Sequence, residues 1–356
     1  MKIYKPINFL FCIPFLIFSA CSDDGDDGPR TAPSLGEFEK GIIVINQGTN
    51  IGFGSLSFIK KDLSMSFNDV YSSVNTSLLG KNVRSLAFGE QEAFIISGNT
   101  NALIAVNRNT MVNTGIIDTD LKNPRQVVAH DGRLYVSNWG DVSNNDDDYI
   151  AIFDIFSFQL IEKITVDAGP EKMVMSNSNR LYVAHYGALE TNNKVTVIST
   201  RTNSISDVLE VGDGPESLYL DEASVLWVLC EGRSPASGNE TFGELYKIET
   251  ENNHEYSGIF EMPQKHPRNL TIDGTALYYS IDNEVYKFNS QGTTLPTSPF
   301  LSGIIPSNLT AEGNRLYVCD QRDSINPGEL VIVDSSGNVV NEFVVGVRPI
   351  GVYFNN

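Results

Sequence analysis

The chain is poor in the residues from which enzyme and metal sites are usually built. It has four cysteines and four histidines in 356 residues. His130, His185, His254 and His266 show no ligand spacing. There is no Gly-x-Ser-x-Gly nucleophile turn and no Gly-rich phosphate loop, so no cofactor and no catalytic residue is expected. Two cysteines fall in the first 21 residues. The other two, Cys230 and Cys319, lie two repeats apart, too far for a disulfide, and read as small buried residues. Basic charge is also scarce. Lys and Arg number 25 against 44 Asp and Glu, a formal net charge of −19, which argues against nucleic acid or anionic lipid as a partner. The one apolar run, Ile7–Ala20, is interrupted by Pro14 and is too short to span a bilayer. No window sustains a 3.6-residue apolar period, so helices should be few.

What the chain does have is a repeat. Pro124, Pro170, Pro215, Pro267, Pro306 and Pro349 each open a short phrase, and a proline-less copy opens at Val83. These positions lie 41, 46, 45, 52, 39 and 43 residues apart. In every copy but the last, an apolar stretch follows: Ala93–Ile95, Leu134–Val136, Leu181–Val183, Leu226–Val228, Leu277–Tyr279 and Leu316–Val318. A third element recurs behind several of them, at Tyr149–Asp154, Lys194–Ile198, Glu244–Ile248 and Glu329–Asp334. The runs are β-branched and aromatic, with turn residues between them, as at Asp131-Gly132 and Asp273-Gly274. Each unit therefore reads as four short strands. A lone four-stranded sheet cannot bury both faces, but seven packed radially can, so the spacing predicts an all-β, seven-bladed β-propeller. An open β-solenoid would have shorter rungs.

The two ends of the chain imply closure. The last copy, Arg348–Phe354, is a first strand with nothing after it. Gly41–Asn46, Gly54–Ile59 and Met65–Val70 are three strands with no first strand before them. Pairing the C-terminal strand with Ile42–Asn46 completes one blade, and the propeller should span residues 41–356. Residues 1–20, with Lys2 and Lys5 before the apolar run, have signal-peptide proportions. Phe18-Ser19-Ala20-Cys21 resembles the bacterial lipobox, which makes Cys21 a lipidation site and a lipid anchor the sole membrane attachment. Residues 21–40 read as a flexible tether. Its acidic start, Ser22–Gly28, resembles the export signal that sends Bacteroidota lipoproteins to the outer face of the outer membrane.

Strand direction places the start of every first strand on the same face as the loops between second and third strands. The residue after each Pro position then forms an inner ring: Arg84, Arg125, Glu171, Glu216, Arg268, Ser307 and Ile350. Its charges either pair between blades and hold the ring, or form a polar floor for an anionic or amide-bearing ligand. An outer ring at the end of each second strand comprises Asn46, Ser97, Asn138, His185, Cys230, Ile281 and Asp320, with Gln47, Phe53, Trp139, Tyr186, Glu231 and Arg322 beside it. The loops here are uneven: long at 138–148, 185–193, 231–243 and 320–328, nearly absent at Asp282-Asn283. The candidate ligand-binding set is Arg84, Arg125, Glu171, Glu216, Arg268, Asn138, Trp139, His185, Tyr186, Asp320 and Arg322. Asp141–Asp148 lacks the Gly and distal Glu of a calcium loop and reads as a solvated acidic loop, so no metal residue is assigned.

The segment VINQGTNIGFGSLS, Val44 to Ser57, resembles the opening blade of the YncE-like surface lipoproteins of Bacteroidota. There an Asn-Glu-Gly-Asn-Phe-Gly phrase precedes a Gly-Ser-Leu-Ser strand; Gln47 and Thr49 depart from it. Leu79-Gly80 and Arg84-Ser85-Leu86 match that family's next phrase loosely. The resemblance implies a seven-bladed propeller at the cell surface. Within that group, BtuG proteins capture cobalamin and pass it to a TonB-dependent transporter, so a corrinoid ligand and a transporter partner are implied, without a residue-level motif. Two other readings stand beside this one: a lactonase-like hydrolase with a metal held by Glu171, Glu216 and Asp320, and a protein-binding or adhesive module presenting Trp139 and Tyr186.

Overall fold

Seven antiparallel sheets of four strands each account for the repeats. The structure is a computed structural model and describes Gly36, residues 38–49 and residues 51–356. Blade two, the first formed wholly in chain order, comprises Val83–Phe88, Glu92–Ser97, Ala102–Asn107 and Asn113–Ile117. Blades three to seven open with Pro124–His130, Pro170–Met175, Pro215–Leu220, Pro267–Asp273 and Pro306–Glu312. Proline suits this place, because the first residue of a strand can do without a ladder N–H. The first strands neighbour one another in a closed ring, from blade one through blade seven and back. The signal segment at 1–20 and Cys21 lie outside the described residues, as does the start of the tether.

Blade one is made from both ends of the chain. Pro349–Asn355 pairs antiparallel with Gly41–Asn46, which pairs in turn with Ser55–Lys60. The expected clasp is therefore present. Asn355 fixes it from within: its Oδ1 accepts from Arg108 Nε at 2.6 Å, and its Nδ2 donates to the Phe38 and Arg108 carbonyls.

The apolar core is not one mass but seven layers, one between each pair of neighbouring blades. The layer between blades five and six, for example, joins Trp227 and Leu245 to Leu277 and Tyr279. Second strands are sandwiched between two such layers, which is why Val225–Cys230 is buried throughout. Fourth strands lie at the rim, and Leu160–Thr165 is mostly exposed.

Two boundaries differ from expectation. The strand expected over Met65–Val70 is only Ser66–Phe67, because Asp69 turns left-handed (φ 55°) and a one-turn helix, Val70–Val74, follows. That helix buries Val70 and Tyr71 against blade one. The fold also begins before residue 41. Phe38 is fully buried, edge-on to Phe58 at 5.1 Å, so the tether ends short of it.

The clasp is open to test. Deleting residues 349–356 should abolish cooperative unfolding, since one blade loses its inner strand. Asn355→Ala should cost about 1–2 kcal/mol in chemical denaturation, the scale of a buried hydrogen-bonding group lost.

Candidate functional site

In all seven blades the first strand carries one extra residue just after its Pro position. In blade three, Pro124 faces Asn138 but Val127 faces Val136, so the register slips by one between them. Such a bulge frees a side chain from the ladder and re-aims it. The residue after the Pro position sits in six of these bulges; in blade six Arg268 still faces Ser280 and directly precedes the bulge. All seven, Arg84, Arg125, Glu171, Glu216, Arg268, Ser307 and Ile350, line one cavity of about 440 Å³ at the channel mouth. The segment before the Pro often needs left-handed backbone: Asn82, Asn123, Gly169, Gly214 and Arg348 have positive φ. At Gly169 a Cβ would also lie 2.3 Å from the backbone of Gly187.

The ring charges are only partly matched. Arg125 and Glu171 form a two-pronged pair across blades three and four, Nε to Oε2 at 2.6 Å and Nη2 to Oε1 at 3.0 Å. The Arg125 guanidinium also lies 3.8 Å over the Trp139 ring. Burial pushes the Glu171 carboxyl up, but the Arg125 charge and hydrogen bond outweigh it and hold it below its usual value. Arg268 does not pair with the ring's other glutamate. It is held by Glu231 on the blade-five loop, at 2.8 Å from Nε, and Glu231 Oε2 accepts from the Tyr186 hydroxyl at 2.7 Å.

Arg84 has no carboxylate partner among the described residues. Burial, then the Arg125 cation, with Glu171 opposing and Arg348 adding, bring its guanidinium from 12.5 to about 10, so it stays charged at neutral pH. It rests against Gly98, where a Cβ would come within 2.9 Å of Nε, and the Asn82 amide oxygen can face its Nε and Nη2 at 3.2 and 2.9 Å. Trp139 and Tyr186 also line the cavity, as do Gln47 and Lys172.

The outer ring is different from what was expected. All seven of its residues are buried. Each faces the Pro position across the ladder, so its side chain points into the sheet rather than to the mouth. Asn138 accepts from the Lys122 N–H at 3.0 Å and donates to the Val136 carbonyl. Asp320 accepts from the N–H groups of Ile305 and Arg322. His185 Nε2 bonds the Thr196 hydroxyl at 2.8 Å, and burial, only partly opposed by Asp167, takes its pKa down to about 4. Asn138 and Asp320 thus fasten the chain just before Pro124 and Pro306, His185 ties its strand to the next, and none of the three lines the cavity. Arg322 is exposed, paired with Glu329 in its own blade, and also away from it. Cys230 and Cys319 are buried free thiols. Among the described residues no cluster of three His, Cys, Asp or Glu side chains is placed to hold a metal ion. Gln126, Lys172 and Asn269, the next residues inward, wall the same cavity and were missed; their signal was simply the position two after each Pro.

Fold and site together define a seven-bladed propeller whose axial cavity is walled by charged side chains. The chain belongs to the DUF5074 family, a domain of unknown function whose pattern spans residues 40–345. Among solved structures it is similar to a quinonprotein alcohol dehydrogenase-like protein from Bacteroides thetaiotaomicron, at 14% identity and a TM-score of 0.66, over 90% of this chain and 79% of that one. It is also similar to hydrazine synthase from Kuenenia stuttgartiensis (13%, 0.61, 88% and 99%) and to BamB from Moraxella catarrhalis (13%, 0.54, 87% and 84%). At such identities the likeness shows the fold alone. No curated protein sequence matches this chain.

One buried acid beside the site gives a pH prediction. Asp148 Oδ2 accepts from the Gly169 N–H at 2.6 Å, while its Oδ1 is buried without a partner. Burial, opposed by that hydrogen bond, raises its pKa from 3.8 to about 6. A group raised on folding contributes stability below its unfolded pKa and loses it as pH rises through the folded value. Asp148→Asn should therefore melt above the parent at pH 8, with the gap closing near pH 4.

Proposed function

We propose that the chain is a non-catalytic, cell-surface lipoprotein, anchored through Cys21, whose channel mouth captures a small ligand by an anionic group. The observation that carries this reading is Arg84: a charged guanidinium lining a cavity, with no carboxylate in ion-pair reach among the described residues. An arginine so placed offers planar, paired donors suited to carboxylate or phosphate. The lipobox and acidic tether support a location on the exterior of the outer membrane. No helix among the described residues is long and apolar enough to cross a membrane.

A corrinoid, as in the BtuG-like group, is the second reading, favoured by the Val44–Ser57 resemblance. Such a molecule is far larger than 440 Å³ and would have to lie across the mouth against the exposed loops, where Phe53 is exposed. A TonB-dependent transporter would be the partner that receives it. The hydrolase reading asks Glu171, Glu216 and Asp320 to hold a metal, but Arg125 occupies the first, and the third is held by the N–H groups of Ile305 and Arg322, away from the cavity lining. An adhesive role would rest on Trp139 and Tyr186, both of which are committed to neighbours within the mouth.

Calorimetric titration of the full chain with succinate, citrate, phosphate and cobalamin tests the proposal. At least one small anion should bind, and Arg84→Gln should weaken it by about tenfold or more, the worth of one charge-assisted hydrogen bond. Binding of cobalamin with none of the small anions would replace the small-anion reading by the corrinoid one. Binding of none of the four at millimolar concentration would overturn both.

A further inference from the structure

The cavity holds unpaired charge of both signs, on opposite sides. Glu216 comes from blade five, and its Oε2 accepts from the Asn269 N–H at 3.0 Å and from the Ser217 hydroxyl. Its Oε1 makes no hydrogen bond and is not buried, and no cation pairs with the carboxylate among the described residues. The nearest arginine field is that of Arg268, but that guanidinium is claimed by Glu231. Arg84 comes from blade two. Three steps apart on a ring of seven, Arg84 and Glu216 face each other across the axis. Lys172, one position inward on blade four and with no ion pair of its own among the described residues, adds a second positive charge to the wall. Between these groups the lining includes the amides and hydroxyls of Gln126, Asn269, Ser307 and Asn308, beside apolar Leu218, Leu270 and Ile350.

Elsewhere in the ring, opposite charges have found each other. Arg125 takes Glu171, and Arg268 takes Glu231. The carboxylate and the guanidinium left over are the two too far apart to meet. A ligand that is itself charged at both ends would satisfy each where it stands, and the amides between would serve a peptide backbone.

We propose that the channel mouth binds a small zwitterion of peptide type, its carboxylate at Arg84 and its ammonium at Glu216. This rests on the anion-capturing reading above and extends it to the second charge. A di- or tripeptide reaches about 7–10 Å when extended, and a cavity in the range of about 300–1,000 Å³ is of ligand size. Because positive charge is in excess at the wall, the carboxylate end should matter more.

The test compares trialanine, its N-acetylated form and its C-terminal amide, each titrated against the full chain by calorimetry. Trialanine should bind, acetylation should weaken it about tenfold, and amidation should weaken it about a hundredfold. Glu216→Gln should remove the difference between trialanine and its acetylated form, and Arg84→Gln the difference between trialanine and its amide. The glutamine amide oxygen can still accept from Asn269, so Glu216→Gln should keep its fold, which a melting curve checks; Glu216→Asp, which keeps the charge, should bind trialanine better than Glu216→Gln. Equal binding of trialanine and its acetylated form would overturn the zwitterion while leaving the anion seat intact. Equal binding of trialanine and its amide would overturn both. If none of the three peptides binds, the zwitterion falls, and the small anions above decide the seat on their own.

Discussion

Neither face of a four-stranded blade can be left to water, and in this chain each blade finds its cover only in its neighbours. Every apolar layer is shared by two blades, so removing one blade bares two surfaces. That makes closure the constraint on which all else depends. Bringing Pro349–Asn355 back to Gly41–Asn46 closes a loop of some 300 residues, an entropic cost on the order of 5 kcal/mol plus a constant. The six-residue ladder, the Asn355 bonds and the two apolar layers flanking blade one offset it. Ile43 and Ile45 face one layer, and Ile42 and Val44 the other, each fully or nearly buried and worth about 1.5–3 kcal/mol.

The fold was legible because the repeat exposes its own period. Proline at the head of six of the seven phrases, a buried apolar stretch after it and an incomplete copy at each end are sequence-local facts. They led to blade number, strand number and clasp. The short helix at Val70–Val74 escaped because one left-handed Asp69, not a pattern, ends the strand. Phe38 escaped because a single aromatic beside a polar tether carries no periodicity.

The site was half legible. Position after proline located Arg84, Arg125, Glu171, Glu216 and Arg268 correctly on the channel wall. Alternation alone could not tell where Asn138, His185 and Asp320 point, since the bulge in the facing strand decides which residues turn to the axis. Nor could it tell that Arg268 would prefer Glu231, a loop residue, to Glu216. Pairing depends on which side chains reach each other across blades, and loop length governs that reach. The result is a ring in which two ion pairs knit blades three to four and five to six, and one cation and one anion are left over.

The seven bulges have a consequence for how such a molecule changes over time. A side chain standing out of the ladder contributes little to pairing within its own blade, but most here reach the next one: Arg125 bonds Glu171, Glu216 the Asn269 N–H, Arg268 Glu231 and Ser307 the Pro349 carbonyl. Arg, Glu, Ser and Ile all occupy the same bulge in different blades without altering the sheet around it. The ring thus behaves as seven sockets on a fixed frame. Substitution there alters what the mouth recognises and, where a bond to the next blade goes with it, what ties the ring, so recognition can drift most freely at Arg84, whose guanidinium has no carboxylate in ion-pair reach among the described residues.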